Sequence, residues 1–67
     1  MTCLARKRKQ LRMTQAEIAK MIGIARQTYS EVERRGIRNV DMAVKYARHL
    51  GCSPEEILEL PRIAGKQ

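Results

Sequence analysis

The sequence has no phenylalanine, no tryptophan and only two tyrosines. A hydrophobic core must therefore be assembled from Leu, Ile, Val, Met, Ala and those two rings. No apolar run approaches the roughly 20 residues that a membrane span requires. Arg6, Lys7, Arg8 and Lys9 bring charge near the start, but no apolar segment follows them, which excludes a secretory signal. A soluble, cytoplasmic protein is expected. Histidine occurs once, as His49, and Cys3 and Cys52 stand apart with no CxxC or Cys/His cluster. That pattern excludes a zinc site, and neither a metal nor another cofactor is expected. Lone thiols in a reduced compartment are favoured over a disulfide, with Cys52 filling a small buried space.

Acidic residues are also few. Fourteen Lys and Arg face seven Asp and Glu, giving a net charge of +7 and a pI near 10.1. On a chain of 67 residues this favours a polyanionic partner, nucleic acid before an anionic membrane surface or mere solubility. The length allows one domain over residues 1–67, with a core small enough for a partner subunit to matter to its stability.

The chain reads as five short helices. The first spans residues 3–12, with Leu4 and Leu11 two turns apart and a basic exposed face between them. Thr14-Gln15-Ala16-Glu17 is a capping box, in which the threonine accepts from the third backbone N–H and the glutamate reaches back to the cap. Ile18, Met21 and Ile22 then give an apolar face, and Gly23 ends the second helix. Ile24 dips into the core. A third helix follows over residues 26–34, with Tyr29 and Val32 on its buried side. Arg26, Gln27, Ser30 and Arg34 lie on the polar side, with Glu31 beside them. Ala25 holds its N-cap position and is a poor cap, leaving N–H groups free for phosphate or water.

Gly36-Ile37-Arg38 reads as a turn. Asn39 caps a fourth helix over residues 40–50, with Val40, Ala43, Val44 and Ala47 as its apolar stripe. Gly51 closes it. Ser53-Pro54-Glu55-Glu56 opens a fifth, with Ser as cap, Pro at the first position and Glu at the third. Ile57, Leu58 and Leu60 anchor this helix, Pro61 stops it, and residues 62–67 are expected to fray. No strand pattern is present. The fold class is all-α, compact and five-helical.

No catalytic constellation is present. Ser30, Glu31 and His49 are scattered, and there is no phosphate loop or carboxylate pair, so an enzyme is not expected. The strong signal is a helix–turn–helix. Ala19 is small where the third helix crosses the second, Gly23 makes the turn, and Tyr29 and Val32 face back toward Ile18 and Ala19. A crossing of about 90–120° would expose the third helix for the major groove. Arg26 suits guanine O6 and N7, Gln27 suits adenine, and Glu31 suits a cytosine N4 or a pairing with Arg34 or Arg35.

TQAEIA, the turn glycine with IARQTYSEVE, and VKYARHLGCSPEEIL occur in order and spacing. Together they resemble the Cro and lambda-repressor type (XRE-like) helix–turn–helix family, over residues 4–60. The resemblance implies a lambda-repressor-like DNA-binding domain acting on double-stranded DNA as a transcriptional regulator. A repressor of bacterial, plasmid or phage type is expected, homodimeric on a palindromic operator. Carried over by position, Ala25, Arg26, Gln27 and Glu31 read bases, and Ser30 is expected to add to that base reading. Gln15, Thr28, Arg34 and Arg38 lie at phosphates, with Gln15 also bracing the third helix. Arg8 and Glu33 form a partly buried ion pair, and Val40, Met42, Ile57 and Leu58 lie in or near the segments that meet across the dimer axis, at the dimer interface. Ala25 departs from the polar residue usual there, so its side-chain contact would be apolar, for example with a thymine methyl. No ligand-sensing segment is evident and no small-molecule ligand is expected. The alternative is a protein-interaction or antitoxin-like helix–turn–helix module. A membrane-surface peptide would need one long amphipathic helix, which Gly23, Gly36 and Gly51 interrupt.

Overall fold

The computed structural model describes residues 1–59. Leu60, Pro61 and the expected fraying lie outside the described residues. The elements are α1 (Cys3–Gln10), α2 (Gln15–Ile22), α3 (Arg26–Arg35), α4 (Val40–Leu50) and α5 (Pro54–Ile57). The class is all-α, and no helix among the described residues is long and apolar enough to cross a membrane.

Local chemistry sets most of these boundaries. Both capping boxes form, Thr14 with Glu17 and Ser53 with Glu56, and Asn39 Oδ1 accepts from the Met42 N–H at 3.0 Å. Gly23 ends α2 with a left-handed φ of 90°, and its N–H donates to the Ala19 carbonyl. The first helix is shorter than its sequence pattern suggests. Thr2 caps it at the front by accepting from the Ala5 N–H. At the back, Arg12 takes a left-handed φ of 59°, which stops helical propagation before residue 12. Leu11, the C-cap, keeps helical backbone but is 40% exposed and does not share the burial of Leu4.

The core brings Leu4 together with Ile18, Ala19 and Ile22 of α2, Tyr29 of α3, four residues of α4, and Ile57. On α4 the buried stripe is Ala43, Tyr46, Ala47 and Leu50. Val40 and Val44 flank it and are 61% and 38% exposed. Met21 likewise lies at the edge of the α2 stripe and is exposed.

The connection at residues 36–38 is more than a turn. Ile37 is fully buried and pairs with Leu58 in a parallel bridge, an isolated pairing rather than a strand. The Glu59 N–H donates to the Ile37 carbonyl at 2.6 Å. The Glu59 carboxylate in turn accepts from the Cys3 N–H at the start of α1. Gly36, with φ of 87°, leaves the space that the Glu59 side chain fills: a Cβ there would collide with Glu59 Cγ. Helices α1, α3 and α5 thereby meet at one pole.

Ile57 requires a correction. It was expected at a dimer axis, but it is fully buried within the core cluster. A side chain with no exposed surface cannot meet a second chain without opening the domain.

Candidate nucleic-acid interface

The position of α3 is fixed from behind by one acidic side chain. Glu33 is the only charged residue in the buried class among the described residues. Arg8 Nε donates to Glu33 Oε1 at 2.8 Å, and Arg8 Nη2 donates to Oε2 at 3.2 Å, a two-pronged pairing of guanidinium and carboxylate. The third Arg8 nitrogen, Nη1, donates to the Met13 carbonyl at 2.9 Å in the α1–α2 connection. Gln15 Nε2 donates to Glu33 Oε2 at 3.1 Å, and the Thr2 hydroxyl donates to the Glu33 carbonyl at 2.6 Å. The end of α3 is thus tied to α1 and to the first residue of α2.

Burial pushes the Glu33 carboxyl up, but Arg8, the neighbouring Tyr29 hydroxyl and the Gln15 amide outweigh it and hold the carboxyl below its ordinary range. Tyr29 lies fully buried beside this cluster. Its hydroxyl makes no hydrogen bond of good geometry among the described residues, although Glu33 acts on it electrostatically. Burial first, then the Glu33 carboxylate, push the phenol up, so it stays protonated.

In front, α3 presents the opposite character. Ala25, Arg26, Gln27, Thr28, Glu31, Arg34 and Arg35 are all exposed. Ala25 holds the N-cap with no side-chain cap bond, so the first N–H groups of α3 have no partner from that side chain. Glu31 Oε1 lies 2.7 Å from Arg34 Nη2 and 3.5 Å from Arg35 Nε. Ser30 is only half-exposed and lies with Thr2, Gln15, Glu33, Arg34 and Glu59 along an open groove of about 530 Å³. It belongs to the flank of α3 rather than to its outermost ridge.

The other expected residues fall into two groups. Arg38 is exposed just beyond α3 and lowers the Glu59 carboxyl electrostatically, after the larger effect of the Cys3 N–H. Val40 and Met42 are exposed, and Leu58 is half-buried at the end of α5. At about 100° per residue, Val40 and Met42 point about 200° apart around α4, so they do not form one patch.

Sequence reasoning missed Thr2 and Glu59. For Thr2 a signal exists, since a threonine directly before a helical run is a candidate N-cap. The contact between Glu59 and Cys3 has no local signature.

A helix braced at its rear and polar at its front, following a tight glycine turn, defines a helix–turn–helix protein. Residues 4–57 match the model of the Helix-turn-helix family of the Cro and lambda-repressor (XRE) type. The chain belongs to this family, which is one of DNA-binding transcription regulators. Neither the curated proteins nor the solved structures contain a significant match.

Proposed function

We propose that the chain is a sequence-specific repressor that binds a palindromic operator as a homodimer, with α3 in the major groove. The observation that carries this reading is the contrast across α3. The Glu33 cluster holds the helix in place, while Arg26 and Gln27 stand exposed to meet base edges and Glu31 lies beside them in contact with Arg34 and Arg35. Arg26 reads guanine through O6 and N7, and Gln27 reads adenine through N6 and N7. Ala25 offers only a methyl group, suited to a thymine. Ser30 approaches from the flank.

Thr28, Arg34 and Arg38 supply phosphate contacts. Gln15 keeps one amide N–H for a phosphate while the other donates to Glu33, so one side chain links backbone recognition to helix position. Affinity comes largely from these contacts and falls steeply with salt.

For the dimer, Val40, Met42 and Leu58 are the apolar candidates. Val40 with Val44, one turn apart on the same flank of α4, gives the broader exposed apolar contact.

Selection of bound duplexes from a random pool tests the reading. The expected product is a palindrome whose half-sites lie about 34–36 Å apart. A lone asymmetric half-site would remove the homodimer. No enrichment at about 100 mM salt would favour a protein-interaction module instead.

A further inference from the structure

The front of α3 carries one acid among its bases. Gln27, Glu31 and Arg34 lie within about 60° of one another around the helix, facing away from buried Tyr29 and Glu33. Glu31 contacts Arg34 and Arg35 through the same carboxylate oxygen, at 2.7 and 3.5 Å. The three side chains are 55%, 69% and 77% exposed, so packing does not enforce the arrangement.

We propose that Glu31 sets discrimination between DNA sequences by withholding Arg34 and Arg35 from phosphates until a base amino group takes their place on its carboxylate. The inference rests on the DNA-binding reading above. A carboxylate only accepts hydrogen bonds, and the phosphate backbone also only accepts. A duplex that draws both arginines onto phosphates strips Glu31 of its partners and leaves an anion facing the groove. In the major groove only the N4 amino group of cytosine and the N6 amino group of adenine can donate to it. Where the site presents such a group, Glu31 exchanges arginine for base and both arginines move to phosphates. Elsewhere the exchange is opposed. An all-cationic ridge would hold every sequence alike, because phosphate contacts carry no sequence information. Glu33, two residues on, does not share this role, because Arg8 and Gln15 already occupy its carboxylate behind the helix.

The test is Glu31→Gln in the full chain, with affinity measured by fluorescence anisotropy from about 50 to 200 mM salt. Two duplexes are compared, one of random sequence and one recovered by selection. E31Q is expected to bind the random duplex about three- to tenfold more tightly, with a salt slope steeper by about 1–2 and a smaller preference for the selected site. In an Arg34→Gln, Arg35→Gln background the same substitution should leave random-duplex affinity unchanged within about twofold. Random-duplex binding no tighter than that of the unsubstituted chain overturns the proposal. So does equal tightening in the double-arginine background, which would mean that only the general charge matters. Failure of the unsubstituted chain to bind either duplex at the lowest salt overturns the DNA-binding reading itself, and this inference with it. Thermal melting verifies that each variant is folded.

Discussion

Glu31 and Glu33 stand two residues apart on α3 and carry the same functional group, yet they live in different surroundings. Glu33 is buried, meets Arg8 with both oxygens and takes a further bond from Gln15. Glu31 is exposed, and its arginine partners reach it from the same helix. Bonds from α1 and α2 give the rear of α3 its position. Bonds within α3 arrange the charges of its front but do not fix the position of the helix. A recognition surface needs both, since a helix that rocks cannot aim its side chains and a side chain already locked cannot change partner.

Breaking the rear should have the largest effect. Arg8→Ala leaves a buried carboxylate without its cation and is expected to cost about 2–4 kcal/mol, measured by chemical denaturation. For a chain of this size that is a large share of the total stability. If R8A and E31Q prove equally mild, the contrast between the two faces fails. Breaking the front should leave folding alone. Arg26→Ala is expected to weaken specific DNA binding by about 1–3 kcal/mol and relax base preference at one position, with an unchanged melting temperature. Equal loss on all sequences would instead make Arg26 a phosphate contact.

Acid sharpens the same contrast. The Glu33 carboxyl titrates below its ordinary value of 4.5 in the folded chain, so the unfolded chain takes up the proton first. Its contribution to stability is complete above that ordinary value and is lost as the pH falls through the lower, folded one. Glu59 is also held low, chiefly by the Cys3 N–H, and contributes in the same direction. Denaturation midpoints should stay level from about pH 7 to 5 as far as these groups are concerned, then drop, and Glu33→Gln should flatten part of that drop. The smallest effect belongs to the α1–α2 connection. Arg12 is the only non-glycine residue with positive φ among the described residues. Arg12→Gly is expected to raise stability by about 0.5 kcal/mol in the same denaturation assay, since glycine adopts this backbone without the steric penalty.

Helix boundaries were legible wherever a cap wrote them. Thr14 with Glu17, Asn39, and Ser53 with Glu56 act over three residues, a range at which sequence order and spatial order coincide. Periodicity located the apolar side of α4 but placed its centre too near Val40, because Tyr46 and Leu50 decide the angle and both are buried. The burial of Ile37 and the clasp between Cys3 and Glu59 escaped the sequence for a different reason. They join segments tens of residues apart, and no spacing rule reaches that far. The assignment of Arg8 to Glu33 came through family likeness alone, and the two residues do meet at 2.8 Å.

The clasp at Glu59 has a practical side. Met1 and Glu59 border the same open groove as Gln15, Ser30 and Arg34. A dye attached at Met1 would therefore begin its tether beside α3, not at the far end of the molecule. Under the proposed reading it would lie on the flank of the DNA-facing helix, close enough to sense a bound duplex, and a bulky fusion at that same point would crowd that flank.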